Sequence, residues 1–166
     1  MVCVAVPSGR AAAALALLAC ASGAAAASPP RDASSRPIER GRYLVMIAGC
    51  NDCLTPNFLT NGGKTPEKDR LTGDTLGWRG PWGTTCPVNL RLYFQEMTED
   101  QWVQVAKEIQ RRPPMPYFSL NAMAEADVRA VYRYIRNLGP AGVPAPKFVP
   151  PDREPPQPYV LFPAAQ

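Results

Sequence analysis

Apolar residues recur at helical spacing in three stretches of this chain, and the first stretch begins at Pro37. A proline suits the first turn of a helix, where its missing N–H would have no partner in any case. The residues that share one face of this stretch are Ile38, Gly41, Leu44, Val45 and Ala48. The spacing predicts a helix that runs from Pro37 to just before Cys50. Glycine weakens a helix interior, so Gly41 indicates either simple tolerance or the close approach of another helix.

Two more helices are predicted farther along the chain. The second starts at Thr98, whose hydroxyl forms a capping box with Gln101, and Pro113 ends it. The third runs over 124–138, and Gly139 follows it as a stop signal. The apolar positions of these two helices are Trp102, Val105, Ala106 and Ile109, then Val128, Val131, Ile135 and Leu138. Three helices without a recognisable strand predict an all-α domain.

Between the first and second helices, residues 54–97 are rich in Gly, Thr, Pro and Asn and show no strand alternation. A loop of 44 residues is rare in a compact domain unless it wraps around a ligand or cofactor. After Gly139 the chain carries nine prolines in 27 residues, which predicts an extended, polyproline-like tail over 140–166. The expected organisation is therefore a linker over 28–36, the domain over 37–139, and this tail.

The composition limits the chemistry of the domain because the chain has no histidine. Histidine is the commonest general base and transition-metal ligand, so Ser-His-Asp catalysis and Cys₂His₂ zinc sites are excluded. The formal net charge is +4 at pH 7, with 18 Lys+Arg against 14 Asp+Glu. No run of basic residues is interleaved with aromatic residues, so no nucleic-acid partner is expected.

The N-terminal segment has the pattern of an export signal. Arg10 is followed by an apolar stretch over 11–19 that is too short to span a bilayer, and small residues precede Ala27. The pattern predicts a secretory signal peptide over 1–27 and a periplasmic or secreted protein. A second interpretation is that Cys20, in Leu-Leu-Ala-Cys, is lipidated and anchors the protein to a membrane. In either case the compartment is oxidising, and cysteines there pair, attach to a group or react.

Cys50 and Cys53 form a Cys-x-x-Cys pair directly after the first predicted helix. The spacing places two sulfurs on one face, which suits a disulfide, two metal thiolates or two thioether bonds to haem. A structural zinc ion needs four ligands, and after signal cleavage the chain has only three cysteines, which are these two and Cys86. A thioredoxin-like motif has its first cysteine at the start of a helix, whereas here a helix precedes the motif. Zinc and thioredoxin-like chemistry are thus the weaker interpretations.

Four parts of the chain resemble class I c-type cytochromes, in the order expected for that family. They are residues 41–53, which end in the Cys pair, residues 76–85 with 89–91, residues 112–116, and the closing helix around 132–136. The likeness extends over about 37–162. In this family the closing helix crosses the first helix near a small residue such as Gly41. The resemblance implies a cytochrome-c-like fold of three main helices, with long ordered loops around a haem pocket.

The resemblance also implies a function, that of a periplasmic electron carrier rather than an enzyme. One haem c is expected to be bound covalently through Cys50 and Cys53, with Met115 on the distal side of the iron. The cofactor contacts that the resemblance implies are Trp78, Arg79 and Trp82. Arg91 is a further candidate for pairing with a haem propionate. The expected partner is a periplasmic or membrane-bound dehydrogenase or oxidase, and a membrane is involved directly only if Cys20 is lipidated.

Leu54 stands where the family has the histidine that binds the proximal side of the iron. A leucine side chain has no lone pair, so the sequence predicts a defective proximal position. Two alternatives follow from it. One is a haem-free degenerate cytochrome that acts as an interaction subunit of a periplasmic oxidoreductase, and the other is a dithiol redox protein with Cys86 as resolving thiol. We expect a haem-free form to be marginally stable, because three short helices make a thin core.

Overall fold

The computed structural model describes residues 35–163. The predicted signal peptide, the alternative lipid site at Cys20 and most of the predicted linker lie outside the described residues. None of the described helices is long and apolar enough to cross a membrane. The helices are α1 (Ser35–Ile47), α2 (Cys50–Leu54), α3 (Leu90–Tyr93), α4 (Glu99–Glu108), α5 (Tyr117–Ala122) and α6 (Glu125–Leu138), with 3₁₀ turns at Glu67–Asp69 and Phe94–Glu96.

Helices α1 and α6 cross at Gly41. A Cβ atom on Gly41 would lie 2.0 Å from the carbonyl oxygen of Ala130 and 2.7 Å from the Cβ atom of Tyr134. No side chain fits into that space, so glycine is what lets the two backbones approach. The prediction of a helix here is confirmed, and the helix starts two residues before Pro37. The interpretation of Gly41 as a point of close approach is also confirmed.

Helix α4 packs against α6 and completes the core. Its predicted capping box is confirmed, since the Thr98 hydroxyl accepts from the backbone N–H of Gln101 and the Gln101 side chain accepts from that of Thr98. The indole N–H of Trp102 donates to the carbonyl oxygen of Val128 at 3.1 Å. The core consists of Leu44, Val45, Leu71, Phe94, Trp102, Ala106, Val128, Ala130, Val131, Tyr134 and Ile135. All three predicted helices contribute to it.

Helix α4 ends at Glu108, earlier than the predicted stop at Pro113. The side-chain amide of Asn121 donates to the carbonyl oxygens of Ala106 at 2.8 Å and Ile109 at 3.3 Å. These carbonyls have no partner within α4, so the amide satisfies the end of the helix from outside. The prediction was wrong because the residue that caps the helix lies in α5, where a local pattern does not reveal it.

The all-α prediction is wrong because the chain also forms a three-stranded sheet. The strands are β1 (Gly77–Gly80), β2 (Gly83–Thr85) and β3 (Tyr159–Leu161), in the order β2-β1-β3. β1 pairs antiparallel with β2 and parallel with β3. Strands of three or four residues are too short to show alternation of apolar and polar positions, and β1 finds its parallel partner in the predicted tail. Residues 54–97 are therefore not one long loop, since they also contain α3 and two of the strands.

The proline-rich tail is extended, but it is bound along the body of the protein. Thr84 and Val149 exchange two backbone hydrogen bonds, of 2.7 and 3.0 Å. Farther along, the N–H of Phe162 donates to the carbonyl oxygen of Arg79 at 2.7 Å. Part of this tail, β3, is the third strand of the sheet.

Candidate functional site

The chain turns at Gly49, between α1 and α2, and this turn presents the two cysteines. Gly49 has a φ of 67°, in the left-handed region, and a Cβ atom there would lie 2.9 Å from Oδ2 of Asp52. Cys50 is the first residue of α2 and Cys53 follows three residues later, so both sulfurs share one face of that helix. The motif does follow α1 directly, as predicted. Cys50 also begins α2, so the expectation that the first cysteine does not stand at the start of a helix is wrong. The second helix has only five residues, which is too few for a visible period.

The three cysteines are partly buried. Burial, with a further contribution from the Asp52 carboxylate, raises the pKa of Cys50 to about 11. The same two causes raise the pKa of Cys53. Burial and the carboxylate of Asp74 raise the pKa of Cys86. Because the thiolate is the reactive form, the raised pKa values lower the fraction of these thiols that is reactive at neutral pH.

Leu54 packs against the hydrophobic core at the end of α2. Its carbonyl oxygen accepts a hydrogen bond of 2.9 Å from the backbone N–H of Gly73, which ties α2 to the loop that follows. The position that the cytochrome family fills with a metal ligand is thus occupied by an apolar group that takes part in packing.

A buried polar cluster beside the cysteines is missed by sequence reasoning. Asn51 and Thr55 are each 1% exposed. The Thr55 hydroxyl donates to Oδ1 of Asn51 at 2.9 Å and accepts the backbone N–H of Leu71 at 2.8 Å. The cluster holds the fully buried Leu71 against α2. Asn51 lies within the Cys-x-x-Cys motif and Thr55 lies two residues after it. Nothing in their spacing shows that the two side chains are buried.

Met115 lies in the loop between α4 and α5 and is 40% exposed. The loop is held by the Thr85 hydroxyl, which donates to the carbonyl oxygen of Pro113 at 3.0 Å. The N–H of Tyr117 donates to the carbonyl oxygen of Met115 at 2.9 Å. Such exposure is unlike that of a methionine that fills a gap in a core, so the thioether is available to a ligand.

Trp78 and Trp82 lie in the β1–β2 hairpin, and Phe162 from the tail contacts both. The ring centroids of Trp78 and Phe162 are 5.9 Å apart, and those of Trp82 and Phe162 are 5.5 Å apart. Both indole Nε1 atoms are buried, and neither has an acceptor among the described residues. A buried donor without a partner costs about 1–3 kcal/mol. Two of them in one hairpin point to an acceptor that a bound group supplies.

Arg79 has a carboxylate partner of its own. Its Nη1 atom lies 2.5 Å from Oε2 of Glu154, and its guanidinium carbon lies 5.3 Å from the centroid of the Tyr159 ring. Both partners belong to the tail. The structure therefore places Arg79 at the junction of β1 and the tail, where it holds the two together.

Arg91, the other candidate for a propionate contact, is 3% exposed. Its guanidinium donates to the carbonyl oxygens of Lys68 at 3.0 Å and Arg70 at 3.3 Å. It also donates to the carbonyl oxygens of Leu138 and Gly139 at the end of α6. Its donors are thus used within the protein, and its role is to join the 66–71 loop to the last turn of α6.

The residues of this region fit the attachment of a haem better than the ligation of its iron. Two thiols three residues apart suit the vinyl groups of a porphyrin, and two indole N–H groups suit its carboxylates. The donor set does not suit the iron, because the chain has no histidine and Leu54 packs in the core. Within residues 35–163 no cluster of three His, Cys, Asp or Glu residues is placed to hold a metal ion.

Comparison with known proteins gives no matching family model, no matching curated protein and no matching solved structure. The likeness to class I c-type cytochromes therefore rests on the short segments described above.

Proposed function

We propose that the chain is an exported electron-transfer protein that carries one haem c on Cys50 and Cys53. The observation that supports this most is the placement of the cysteine pair. Helix α1 crosses α6 at Gly41 and is followed by the turn at Gly49, which presents both thiols on one face of α2. The resemblance to class I c-type cytochromes implies the same sequence of features at the start of a haem-binding segment.

In this proposal the thiols of Cys50 and Cys53 each add across a vinyl group, which forms a thioether and needs no oxidant. Their raised pKa values keep both sulfurs protonated before attachment, and this slows their pairing as a disulfide in an oxidising compartment. Trp78 and Trp82 offer buried N–H groups to carboxylates at the cofactor edge. When bound, haem supplies a one-electron couple whose potential depends on the axial ligands.

Leu54 distinguishes the proposed protein from an ordinary c-type cytochrome. Its side chain has no electron pair to donate, so Met115 is the one axial donor that the resemblance assigns. Axial ligation is a main means by which a protein tunes haem iron. We therefore expect electron transfer to be slow, and the visible spectrum to lack the features of a His/Met centre.

A pyridine haemochrome assay tests the proposal on protein purified from the periplasm of a host with a c-type maturation system. We expect about one haem per chain from the unmodified sequence and none after the double change Cys50→Ser and Cys53→Ser. Cys86→Ser is the matched control, because that partly buried cysteine lies outside the motif and its loss should leave haem content unchanged. Absence of haem from the unmodified protein would contradict the proposal, whatever the result with Leu54→His.

A second candidate is the haem-free degenerate cytochrome that acts as an interaction subunit of a periplasmic oxidoreductase. It is favoured by Leu54, whose side chain already packs against the core. This candidate requires the colourless protein to be stable by itself, contrary to our expectation of a marginal haem-free form. Cooperative thermal unfolding of haem-free protein, together with haem loading only in Leu54→His, would support it over the electron carrier.

A further inference from the structure

A pocket of about 560 Å³ lies beside the cysteine motif and is lined by three separate segments of the chain. The segments are residues 55–60, residues 72–76 and residues 142–146 of the tail, with Asp52, Trp78 and Pro158 completing the described walls. Its volume is in the range of roughly 300–1,000 Å³ that is usual for small-molecule sites. The described walls include neither cysteine of the motif nor Met115, but they share Trp78 with the proposed haem contacts.

The three segments are fixed to one another by hydrogen bonds. The backbone N–H of Gly73 donates to the carbonyl oxygen of Leu54 at 2.9 Å, which joins the second segment to α2 at the start of the first. The side-chain amide of Asn89 donates to the carbonyl oxygens of Ala141 and Val143, at 2.8 and 3.0 Å, which holds the tail in place. Prolines in the walls reduce backbone freedom further. The pocket is therefore formed before any ligand arrives, which lowers the entropic cost of binding.

The charges in the pocket are of one sign. Asp52 and Asp74 both line it, and none of the described lining residues is Lys or Arg. Neither aspartate forms an ion pair within the part of the chain that the structure describes. Oδ1 of Asp74 accepts from the backbone N–H of Leu76 at 3.1 Å, and its second oxygen has no such bond there. The two carboxylates favour a cation at the pocket. The nearest basic group that the structure places against a wall residue is Arg70, whose guanidinium carbon lies 5.6 Å from the centroid of the Phe58 ring.

The remaining walls are largely apolar. Trp78 supplies aromatic surface, Leu76 and Val143 supply aliphatic surface, and prolines lie between them. Phe58 is 6% exposed, and Arg70 lies over its ring. Aromatic rings attract cations through their negative faces, so these walls suit the apolar body of a ligand and also reinforce the preference for positive charge. An inorganic ion does not use such walls, and an anion is repelled by the aspartates.

We propose that this pocket binds a small organic cation, with an ammonium group on the side of Asp52 and Asp74 and an apolar body against Trp78 and Leu76. Trp78 is also one of the proposed haem contacts, so binding is measured both on the unmodified chain and on the Cys50→Ser, Cys53→Ser variant, and the site itself does not require haem.

Isothermal titration calorimetry of the full chain tests the proposal with three probes of similar shape, which are phenethylammonium, 2-phenylethanol and phenylacetate. We expect saturable one-site binding of the ammonium compound, weaker binding of the alcohol and none of the carboxylate. The affinity for the ammonium compound should fall as salt is added, since the attraction is between charges.

Asp74→Asn is the informative variant, because an asparagine oxygen can still accept from Leu76 while the charge is removed. We expect it to weaken binding of phenethylammonium by about fivefold or more, the effect of losing one charge contact. Asp152→Asn is the matched control, an exposed aspartate in the tail that does not line the pocket, and it should bind as the unmodified chain does. Val143→Arg is a second variant, which places a positive charge on an exposed side chain at the pocket. We expect it to abolish binding of phenethylammonium, and an unchanged circular dichroism spectrum would show that it folds.

Equal affinity for phenethylammonium and 2-phenylethanol would overturn the preference for a cation. Saturable binding that both Asp74→Asn and Val143→Arg leave intact would place the ligand elsewhere and overturn the site. Absence of saturable binding by all three probes would overturn the proposal as a whole, whatever the haem content of the protein.

Discussion

The helical body of this protein and the segment between its first and fourth helices are stabilised in different ways. In the body, α1, α4 and α6 bury apolar side chains against one another. In the segment, the buried residues include Thr55, Asn89 and Arg91, each no more than 3% exposed, and each hydrogen-bonds to backbone groups far away in the sequence. A helical body can rely on apolar area, whereas a segment with little regular structure must satisfy its own backbone by other means.

This difference explains why residues of the two regions are expected to respond differently to substitution. In the body, the sensitive positions are those where space is limiting. In the segment, they are polar positions whose loss leaves several carbonyl groups without a donor, and a buried group left unpaired costs its full desolvation.

The largest effect is expected at the crossing of the two long helices. Gly41→Ala would place a Cβ atom 2.0 Å from a backbone oxygen of Ala130, so the helices must move apart. We expect the free energy of unfolding to fall by about 3 kcal/mol, as for severe overpacking. Gly62→Ala is the control, because a Cβ atom there meets nothing within 4 Å and only the φ of 66° is strained, which costs about 1 kcal/mol. Urea denaturation followed by circular dichroism measures the stability of both variants. Equal losses would show that the helix crossing accommodates a Cβ atom at position 41.

A somewhat smaller effect is expected from the buried arginine of the segment. Arg91→Met keeps an unbranched side chain but removes the donors to four carbonyl oxygens. We expect a loss of about 2–3 kcal/mol in the free energy of unfolding. Arg111→Met is the matched control, since Arg111 is exposed and forms no ion pair within residues 35–163, and its change should stay within about 0.5 kcal/mol. If the two variants unfold at the same urea concentration, polar bonds do not stabilise the segment as described.

The smallest effect is expected from alkaline pH on the reduced, haem-free protein. The folded-state pKa of Cys50 is about 11, above its ordinary value, so the native state retains a proton that the unfolded chain loses. Stability is therefore highest below the ordinary pKa and falls as pH rises towards 11, by up to about 1.4 kcal/mol per pH unit. Urea titrations at pH 8, 9 and 10 measure the slope, and Cys50→Ser should reduce it. Burial raises the pKa of Tyr134 to about 12, so that residue adds its own effect at higher pH. A slope that is identical in Cys50→Ser would show that this thiol is not shielded in the folded protein.

The same comparison shows how far the sequence could be used to predict the fold. Apolar periodicity identifies α1, α4 and α6, because the buried face of a core helix shows in the sequence as apolar residues three and four positions apart. It does not identify the sheet, whose strands are too short for a period, nor the pairing of β1 with a strand beyond α6. Gly41 could be interpreted correctly because its position in a helix interior is unfavourable unless close packing requires it.

The candidate site was predicted in part. The cysteine pair and its position after α1 follow from a short motif. The burial of Arg91 does not, because a charged residue in a loop normally lies in solvent and only the arrangement of four distant carbonyls explains it. Asn51 and Thr55 are similar cases, since their partners are set by how the loop folds back on α2.

The parallel pairing of β1 with β3 also affects the order in which the protein assembles. Ribosomes make α6 before the third strand exists, so the helices have time to pair while the sheet is incomplete. During that interval β1 has an unpaired edge and both hairpin tryptophans lack Phe162 beside them, which is the kind of surface through which nascent chains aggregate. The formation of β3 thus sets the moment at which the newly made polypeptide covers this surface.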